Sequence, residues 1–442
     1  MTWSLVELEA CFEGVIPSII STADADGIPN ISYLSHVAIV DDHHVALSNQ
    51  FFAKTAANIR LNPQATLLVV DGHNGAQFRL DLRFAYSMES GPLFDSLALQ
   101  VEASSAQAGM ADVMRLRHVD VFRVLAIVDT PSPVATPARR KPERSRLDAT
   151  RGIVERIAAA ADVDGIVDAT LDGIRERLGF YHGLFLHCEP DKTQVVAIGS
   201  IGYTPSGIGA EVPLGEGLIG AAAGSGKTVK VSDMSRIRRF GSAIRATTPD
   251  ENRTRSIPLP GMAEAMSQIA VPLLVQDAVE GVLFFESAER LAFGRDDEAA
   301  LAIIARQAAA SLALCERLSL EGESAGHRPS DPPAGETHID VVHHRFDDSV
   351  FVNGDYVIKG VAGRLLVFMV EQSLASGRRE FSNREIRLDT SLRLPDFKDN
   401  LETRLLLLRR RLEEKMLPVR LIRLGRGKIG LEIDGSLRLT RQ

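Results

Sequence analysis

The sequence predicts a multidomain α+β protein of three modules. At 442 residues the chain is longer than one hydrophobic core usually organises. Two proline-rich stretches, 130–146 and 320–337, cut it into about 1–130, 147–319 and 338–442. Such stretches bury too little apolar surface to offset the entropy of ordering them. Charge is also uneven. Residues 338–442 hold 16 Arg and 4 Lys against 8 Asp and 7 Glu, a net of +5 in a chain of net −8, which leaves −13 on residues 1–337. A basic module on an acidic body suggests a nucleic-acid reader joined to something that is not one. The alternative is an ordinary solvated basic face.

Composition narrows the classes. A hydrophobic content of 45% suits globular modules with real cores. Cys11, Cys188 and Cys315 are far apart, so they give no disulfide framework or paired metal-ligand motif. That usage suits a reducing compartment, and the expected location is cytoplasmic. The first twenty residues lack a basic segment followed by a long apolar core, and no later stretch reads as a membrane span.

In the first module a short helix over 6–13 is followed by strand-like alternation. Segments 18–22 and 30–34 flank the turn Asp24-Ala25-Asp26-Gly27, and 36–40 and 44–48 flank Asp41-Asp42. A helix over 52–61 stops at Asn62-Pro63, and strands over 65–70 and 77–86 follow. Several short strands in a row predict a small barrel. Ala46-Leu47-Ser48-Asn49-Gln50, Lys54-Thr55, Asn58-Ile59-Arg60, Ser90-Gly91-Pro92 and Asp120-Val121-Phe122-Arg123 resemble the flavin-binding split β-barrel of the pyridoxamine-phosphate oxidase family. The resemblance implies FMN as cofactor, with Ser48, Gln50, Lys54 and Thr55 holding its phosphate. A cation, hydroxyls and the N–H groups of a helix start suit a phosphate dianion. The alternative makes Lys54 a solvated helix lysine and Ser48 a strand end. The Arg-rich C-terminal segment of the true oxidases has no counterpart, so activity on vitamin B6 is not expected. His43-His44 reads as a solvated turn.

The middle module opens with an amphipathic helix carrying Leu147, Ile153, Val154 and Ile157 and closes with a longer one over 296–318. Strand signals lie between, at 183–187, 193–201, 228–231, 268–274 and 281–286. Leu178-Gly179-Phe180-Tyr181-His182, Gly202-Tyr203, Val212-Pro213-Leu214-Gly215-Glu216-Gly217, Gln268-Ile269-Ala270-Val271-Pro272 and Glu286-Ser287 resemble a GAF domain, an α/β sandwich that serves as a regulatory pocket. The resemblance does not specify its ligand. Cys188 reads as a buried structural cysteine. The run from Gly220 to Thr228 imitates a phosphate loop, but that motif needs glycine where Ala221 stands, and a strand follows instead of a helix. Ile304, Ala308, Ser311, Cys315 and Leu318 are spaced as a possible homodimer seam. The alternative is that this face packs on the sheet.

The last module shows a hairpin over 350–358 with an Asn353-Gly354 turn and a helix over 361–376 ended by Gly377. Ser382 and Glu385 form a capping box for a short helix. A long helix starts near Asp399 with Glu402 three positions on, and a glycine-tipped hairpin spans 420–433. That order reads as a winged helix. Phe381-Ser382-Asn383-Arg384-Glu385-Ile386, Leu408-Arg409-Arg410-Arg411-Leu412 and the glycine turn resemble the DNA-binding domain of the transcriptional response regulators. Leu401, Leu405, Leu408 and Leu412 make one core face, leaving Asn400, Thr403, Arg404, Leu407 and Arg411 on the opposite flank. That flank is expected in a DNA major groove, with Arg426 and Lys428 on phosphate or minor groove. Leu406 and Leu407 depart from the family, whose residues there are polar or basic. They favour thymine methyls or, alternatively, a protein partner.

The expectation is a cytoplasmic one-component transcriptional regulator, a homodimer with two sensor modules and a DNA-binding output. No catalytic residue and no metal ligand is assigned. The alternative is an FMN-dependent oxidoreductase with regulatory domains.

Overall fold

The computed structural model describes residues 3–34, 36–49, 53–107, 116–131, 145–189, 191–235, 251–320, 338–392, 394, 401–425 and 427–442. Most of both expected linkers lies outside the described residues.

The first module is a seven-stranded antiparallel sheet. Its strands are β1 (Ser18–Ala23), β2 (Pro29–Leu34), β3 (Val37–Asp41), β4 (His44–Asn49), β5 (Gln64–Val70), β6 (Gln77–Met88) and β7 (His118–Thr130), in the order β2-β1-β5-β6-β7-β4-β3. The β1–β2 turn is fixed by the Asp24 carboxylate, which accepts from the N–H groups of Asp26 and Ile28. Helices α1 (Ala53–Leu61) and α2 (Pro92–Gln107) connect β4 to β5 and β6 to β7. The expected opening helix is a tighter 3₁₀ segment, Val6–Phe12. Val45, Leu67, Leu80 and Phe122 fill the interior.

The middle module sandwiches a six-stranded sheet between helices. Helices α3 (Arg146–Ala159) and α4 (Val163–Leu178) come first, then β8 (His182–Cys188), β9 (Gln194–Ile201), β10 (Glu211–Pro213) and α5 (Gly217–Ser225). After β11 (Val229–Val231) and the single turn α6 (Glu251–Thr254) come β12 (Ser267–Val275), β13 (Ala278–Ser287) and α7 (Arg295–Leu320). The strand order is β10-β9-β8-β13-β12-β11. Pleating sends alternate residues to opposite faces. Phe185, Ile198, Val271 and Phe285 pack with α3, α4 and α7, while Leu184, Leu186, Val282 and Phe284 pack with α5. Leu147 is exposed and does not join the face of α3 that carries Ile153 and Ile157.

Helix α7 bears on two expectations. By length and composition it could cross a membrane, contrary to the reading that no stretch could. Its Ile304, Ala305, Ala308 and Leu312 are buried within the module, as in the core helix of a globular domain. Three of the five residues of the expected dimer seam are turned inward for the same reason. Ile304, Ala308 and Cys315 belong to the module's own core, and the outward residues are Ile303, Leu314 and Leu318.

The last module begins with β14 (His338–His344), β15 (Ser349–Val352), β16 (Asp355–Ile358) and α8 (Gly360–Ser376). Then come β17 (Glu380–Ser382), α9 (Asn383–Leu388), α10 (Leu401–Glu414), β18 (Val419–Gly425), β19 (Lys428–Ile433) and β20 (Ser436–Arg441). One sheet runs β16-β15-β14-β20, the other β17-β19-β18. Asn353 and Gly354 both take positive φ, as a two-residue hairpin requires. The Ser382–Glu385 capping box is formed in both directions, and left-handed Gly377 ends α8. Asp399 lies outside the described residues. Glu402 accepts from Asn383 and faces Arg423 at 3.6 Å.

The phosphate-loop imitation has a packing explanation. Gly220 to Ser225 lie within α5, and Gly226 ends that helix in a left-handed turn. A Cβ on Gly220 would stand 2.3 Å from the Pro213 carbonyl oxygen, a backbone atom that cannot give way. On Gly224 it would meet nothing closer than 3.6 Å. Gly220→Ala should therefore destabilise the chain by about 1–3 kcal/mol. Gly224→Ala should be neutral or stabilising by up to about 1 kcal/mol through helix propensity. Thermal unfolding of the two variants checks the contrast, and equal effects would refute it.

Candidate functional site

In the first module two of the expected phosphate ligands, Ser48 and Thr55, are hydrogen-bonded within the barrel. Ser48 is buried at the end of β4, where its N–H and its hydroxyl both donate to the His36 carbonyl at 3.1 Å. Thr55 is buried in the first turn of α1, where its hydroxyl accepts from Asn30 at 3.0 Å and lies 3.0 Å from that of Ser32. These hydroxyls tie strand to strand and helix to sheet. Lys54 between them is exposed and, among the described residues, makes no ion pair. Gln50 lies outside the described residues. Among the described residues of the group expected to hold an FMN phosphate, Lys54 has its side chain exposed and Ser48 and Thr55 are buried, so the fit to flavin is partial.

The α5 face of the middle sheet holds a polar cluster that the sequence reading missed. Glu286 on β13 is buried and accepts three hydrogen bonds, from the Tyr203 hydroxyl at 2.7 Å, the Met262 N–H at 2.8 Å and Gln268 Nε2 at 2.6 Å. Together they satisfy a carboxylate that would otherwise be costly to bury. They also fasten segment 255–266 across the sheet. Burial, then the Glu286 charge, holds the Tyr203 phenol well above its ordinary pKa. Gly202-Tyr203 and Glu286-Ser287 had stood out only as motif residues. Tyr356, from the β15–β16 hairpin of the last module, joins the apolar cluster on this face at 2% exposure. Its N–H donates to Asn252 at 2.8 Å, and its ring meets Phe351 edge-on at 5.5 Å. Cys188 is buried, and burial pushes its thiol up to about 11. Among the described residues no group of three His, Cys, Asp or Glu is placed to hold a metal.

Helix α10, expected to face DNA, is buried on both flanks. Leu401, Leu405, Leu408 and Leu412 form the core face as the periodicity implies. The opposite flank is not in solvent. Thr403, Arg404, Leu406, Leu407 and Arg411 are at most 8% exposed. Arg411 serves its own module, donating to the Val357 carbonyl at 3.0 Å and to Glu414 at 2.9 Å. It is therefore structural, and its assignment to a base contact is corrected. Arg404 forms a two-pronged pair with Glu189 of the middle module, both contacts at 3.4 Å. Asn400 and Arg426 lie outside the described residues. Lys428 is half-buried and lines a cleft with Arg409, Arg423, Val163 and Asp164.

The last module straddles the β9–β10 edge of the middle sheet. On the α4 side, Arg410 donates to Asp164 at 2.7 Å, Asp168 at 2.5 Å and the Ile198 carbonyl at 3.1 Å. Ile198 is the residue skipped where the β8–β9 register jumps from Phe185↔Gly199 to Leu186↔Ala197. Its carbonyl needs a donor from outside the ladder. Arg409 also bonds Asp164, Arg423 faces Asp162 at 3.3 Å, and Glu414 accepts from the Ser206 N–H at 3.0 Å. Lys359 pairs with Glu211 on β10 at 2.8 Å. Burial alone would raise the Asp164 pKa, but bonds from Arg409 and Arg410 outweigh it and hold the carboxyl low. Asp168 goes the other way, raised by burial despite Arg410. His187 is enclosed on β8, and burial, with the Arg404 charge second, brings it down to about 4.

Residues 6–125 match the family model of pyridoxamine 5'-phosphate oxidase, and residues 160–313 match that of the GAF domain. The chain thus carries a split barrel of the pyridoxamine-phosphate oxidase type followed by a GAF domain. No curated protein matches it. Similar solved structures include an FMN-binding protein from Syntrophomonas wolfei subsp. wolfei, at 17% identity over 29% of this chain and 86% of that one, with a TM-score of 0.25. The GAF domain of an Acinetobacter phosphoenolpyruvate-protein phosphotransferase aligns at 20% identity over 39% and 95%, with a TM-score of 0.32. Free methionine-R-sulfoxide reductase from Neisseria meningitidis aligns at 20% over 39% and 94%, with a TM-score of 0.30.

The buried imidazoles give a pH signature. His187 and His36 are both lowered from 6.5 to about 4, His36 by burial. Each therefore takes a proton more readily in the unfolded chain. Their neutral forms stabilise the fold fully above 6.5, and that stability is lost as pH falls from 6.5 toward 4. The unfolding midpoint should drop across this interval, and His187→Gln should remove part of the drop, leaving the share of His36. A wild-type midpoint that stays level between pH 6.5 and 5 would contradict the enclosure of both rings.

Proposed function

We propose that this chain is a cytoplasmic one-component transcriptional regulator. In this reading the split barrel and the GAF domain sense flavin or another small molecule, and the C-terminal module is a winged helix that binds DNA. The observation that carries it is the C-terminal module itself. A net-positive segment orders two sheets, three helices and the glycine-tipped β18–β19 hairpin around α10, whose arginines project beyond their own core. Nucleic-acid binding by such a module rests on cations presented along a helix and at a hairpin tip. The DNA contacts assigned here are Arg404 and Lys428, with Asn400 and Arg426 as the sequence suggests. Arg411 is withdrawn because it is committed to its own module and Thr403 because it is 3% exposed, whereas Arg404 is kept because its cover is Glu189 of the GAF domain.

FMN binding is proposed at the start of α1, with Lys54 as its cation. A homodimer is part of the proposal, through the outward flank of α7 that carries Ile303 and Leu314. The family match over residues 6–125 favours a second reading, an FMN-dependent oxidoreductase with regulatory domains.

Two titrations separate the readings. For flavin, Lys54→Ala should weaken FMN binding roughly tenfold to a hundredfold, the range for losing a hydrogen bond to a charged group. Absence of saturable flavin binding by the intact protein would remove the barrel's assigned role. For DNA, selection from random duplexes should enrich a sequence. Lys428→Ala should weaken binding to all duplexes alike and lower the salt slope by about one unit, as loss of one phosphate contact does. Enrichment of nothing, with affinity indifferent to salt, would remove the regulator reading. Flavin binding without DNA binding would favour the oxidoreductase.

A further inference from the structure

The same arginines that would meet DNA already end on carboxylates of the GAF domain. We infer that an acidic strip on the GAF domain, Asp162, Asp164, Asp168 and Glu189, acts as an internal substitute for nucleic-acid phosphate. It occupies a polyanion-binding surface made by Arg404, Arg409, Arg410 and Arg423. This rests on the DNA-binding reading and adds three cations to it, together with the element that blocks them.

The geometry supports this in three ways. First, three of the four carboxylates follow one helix edge, and Glu189 lies just past β8. Asp162 caps α4, accepting from the Gly165 N–H at 2.8 Å, and Asp164 and Asp168 follow four positions apart on the same side. Second, the pairing is distributed as it would be along a phosphate backbone. Arg410 bridges Asp164 and Asp168, Arg409 shares Asp164, Arg423 takes Asp162, and Arg404 takes Glu189. Third, the block is steric as well as electrostatic. Leu406 and Leu407 are 5% and 6% exposed in a core cluster continuous with that of the GAF domain. A Cβ on Gly209 would come within 3.8 Å of Leu407 Cδ1. A duplex cannot reach this flank of α10 while the GAF domain covers it.

Binding then requires undocking. The apparent affinity is the intrinsic one multiplied by the undocked fraction, so any change that raises this fraction tightens binding. Neutralising the strip leaves the arginines intact and removes only their internal partners.

The test compares the full chain with its Asp164→Asn/Asp168→Asn variant, and with Glu189→Gln as an independent second variant. Affinity for a random duplex pool is measured, together with amide hydrogen exchange over 401–414. The isosteric changes should tighten DNA binding at least tenfold and speed exchange in α10, with Glu189→Gln acting in the same direction but less. If wild type and variants bind DNA equally, the inhibitory strip is refuted and the DNA reading stands. If exchange speeds up but neither form binds DNA, the DNA reading falls and this inference with it. Unchanged exchange in both variants would show that the acidic strip does not hold α10, which also overturns it.

Discussion

The arrangement depends on one contact, the guanidinium groups of Arg409 and Arg410 converging on Asp164 of α4. It fixes helix α10 against an edge of another domain's sheet, and through α10 it positions the whole C-terminal module. The β15–β16 hairpin of the same module lies on the far side of that sheet. Tyr356 packs into the apolar cluster of the α5 face, and Lys359 reaches Glu211 at the sheet edge. The module contacts the GAF domain on both faces, Tyr356 on the α5 side and α10 on the α4 side.

Partly buried ion pairs are a suitable fastening for a joint that has to open. Their net contribution to stability is small, because desolvation offsets most of the attraction. Breaking one partner alone is costly, since it strands a charge away from water. A joint of this kind stays shut in isolation but releases when another polyanion offers equivalent partners. The leucines add apolar burial without specificity, and the arginines set the register of one module on the other.

Local signals in the sequence were legible where the chain's chemistry is local. The Asn353-Gly354 turn, the Ser382–Glu385 box, Gly377 and the leucine face of α10 all read correctly, because neighbours within four residues decide them. Strands β14 and β20 were missed. They pair in parallel, His338 with Ser436, and no local pattern joins residues so far apart. Helix α4 was missed as well, though Asp162 and Gly179 cap it as the sequence rules would have it. The outer flank of α10 was assigned to DNA because periodicity identifies a second face without saying what covers it. Leu406 and Leu407 carried the warning, since leucines on a supposedly solvated flank call for a partner. Ser48 and Thr55 have internal partners that the sequence did not show, for a related reason. Their types suit a phosphate, but the pleat and the first turn of α1 aim both hydroxyls at the barrel's own strands.

The central claim is that α10 is held by its arginines against α4. A double-mutant cycle on Asp164→Ala and Arg410→Ala in the full chain, read by equilibrium unfolding of the C-terminal module, tests it most directly. Groups in direct contact should couple by about 1 kcal/mol or more, the double variant losing less than the two single variants together. Additivity within about 0.3–0.5 kcal/mol, as for residues that do not touch, would contradict the docking from which the rest of the account is built.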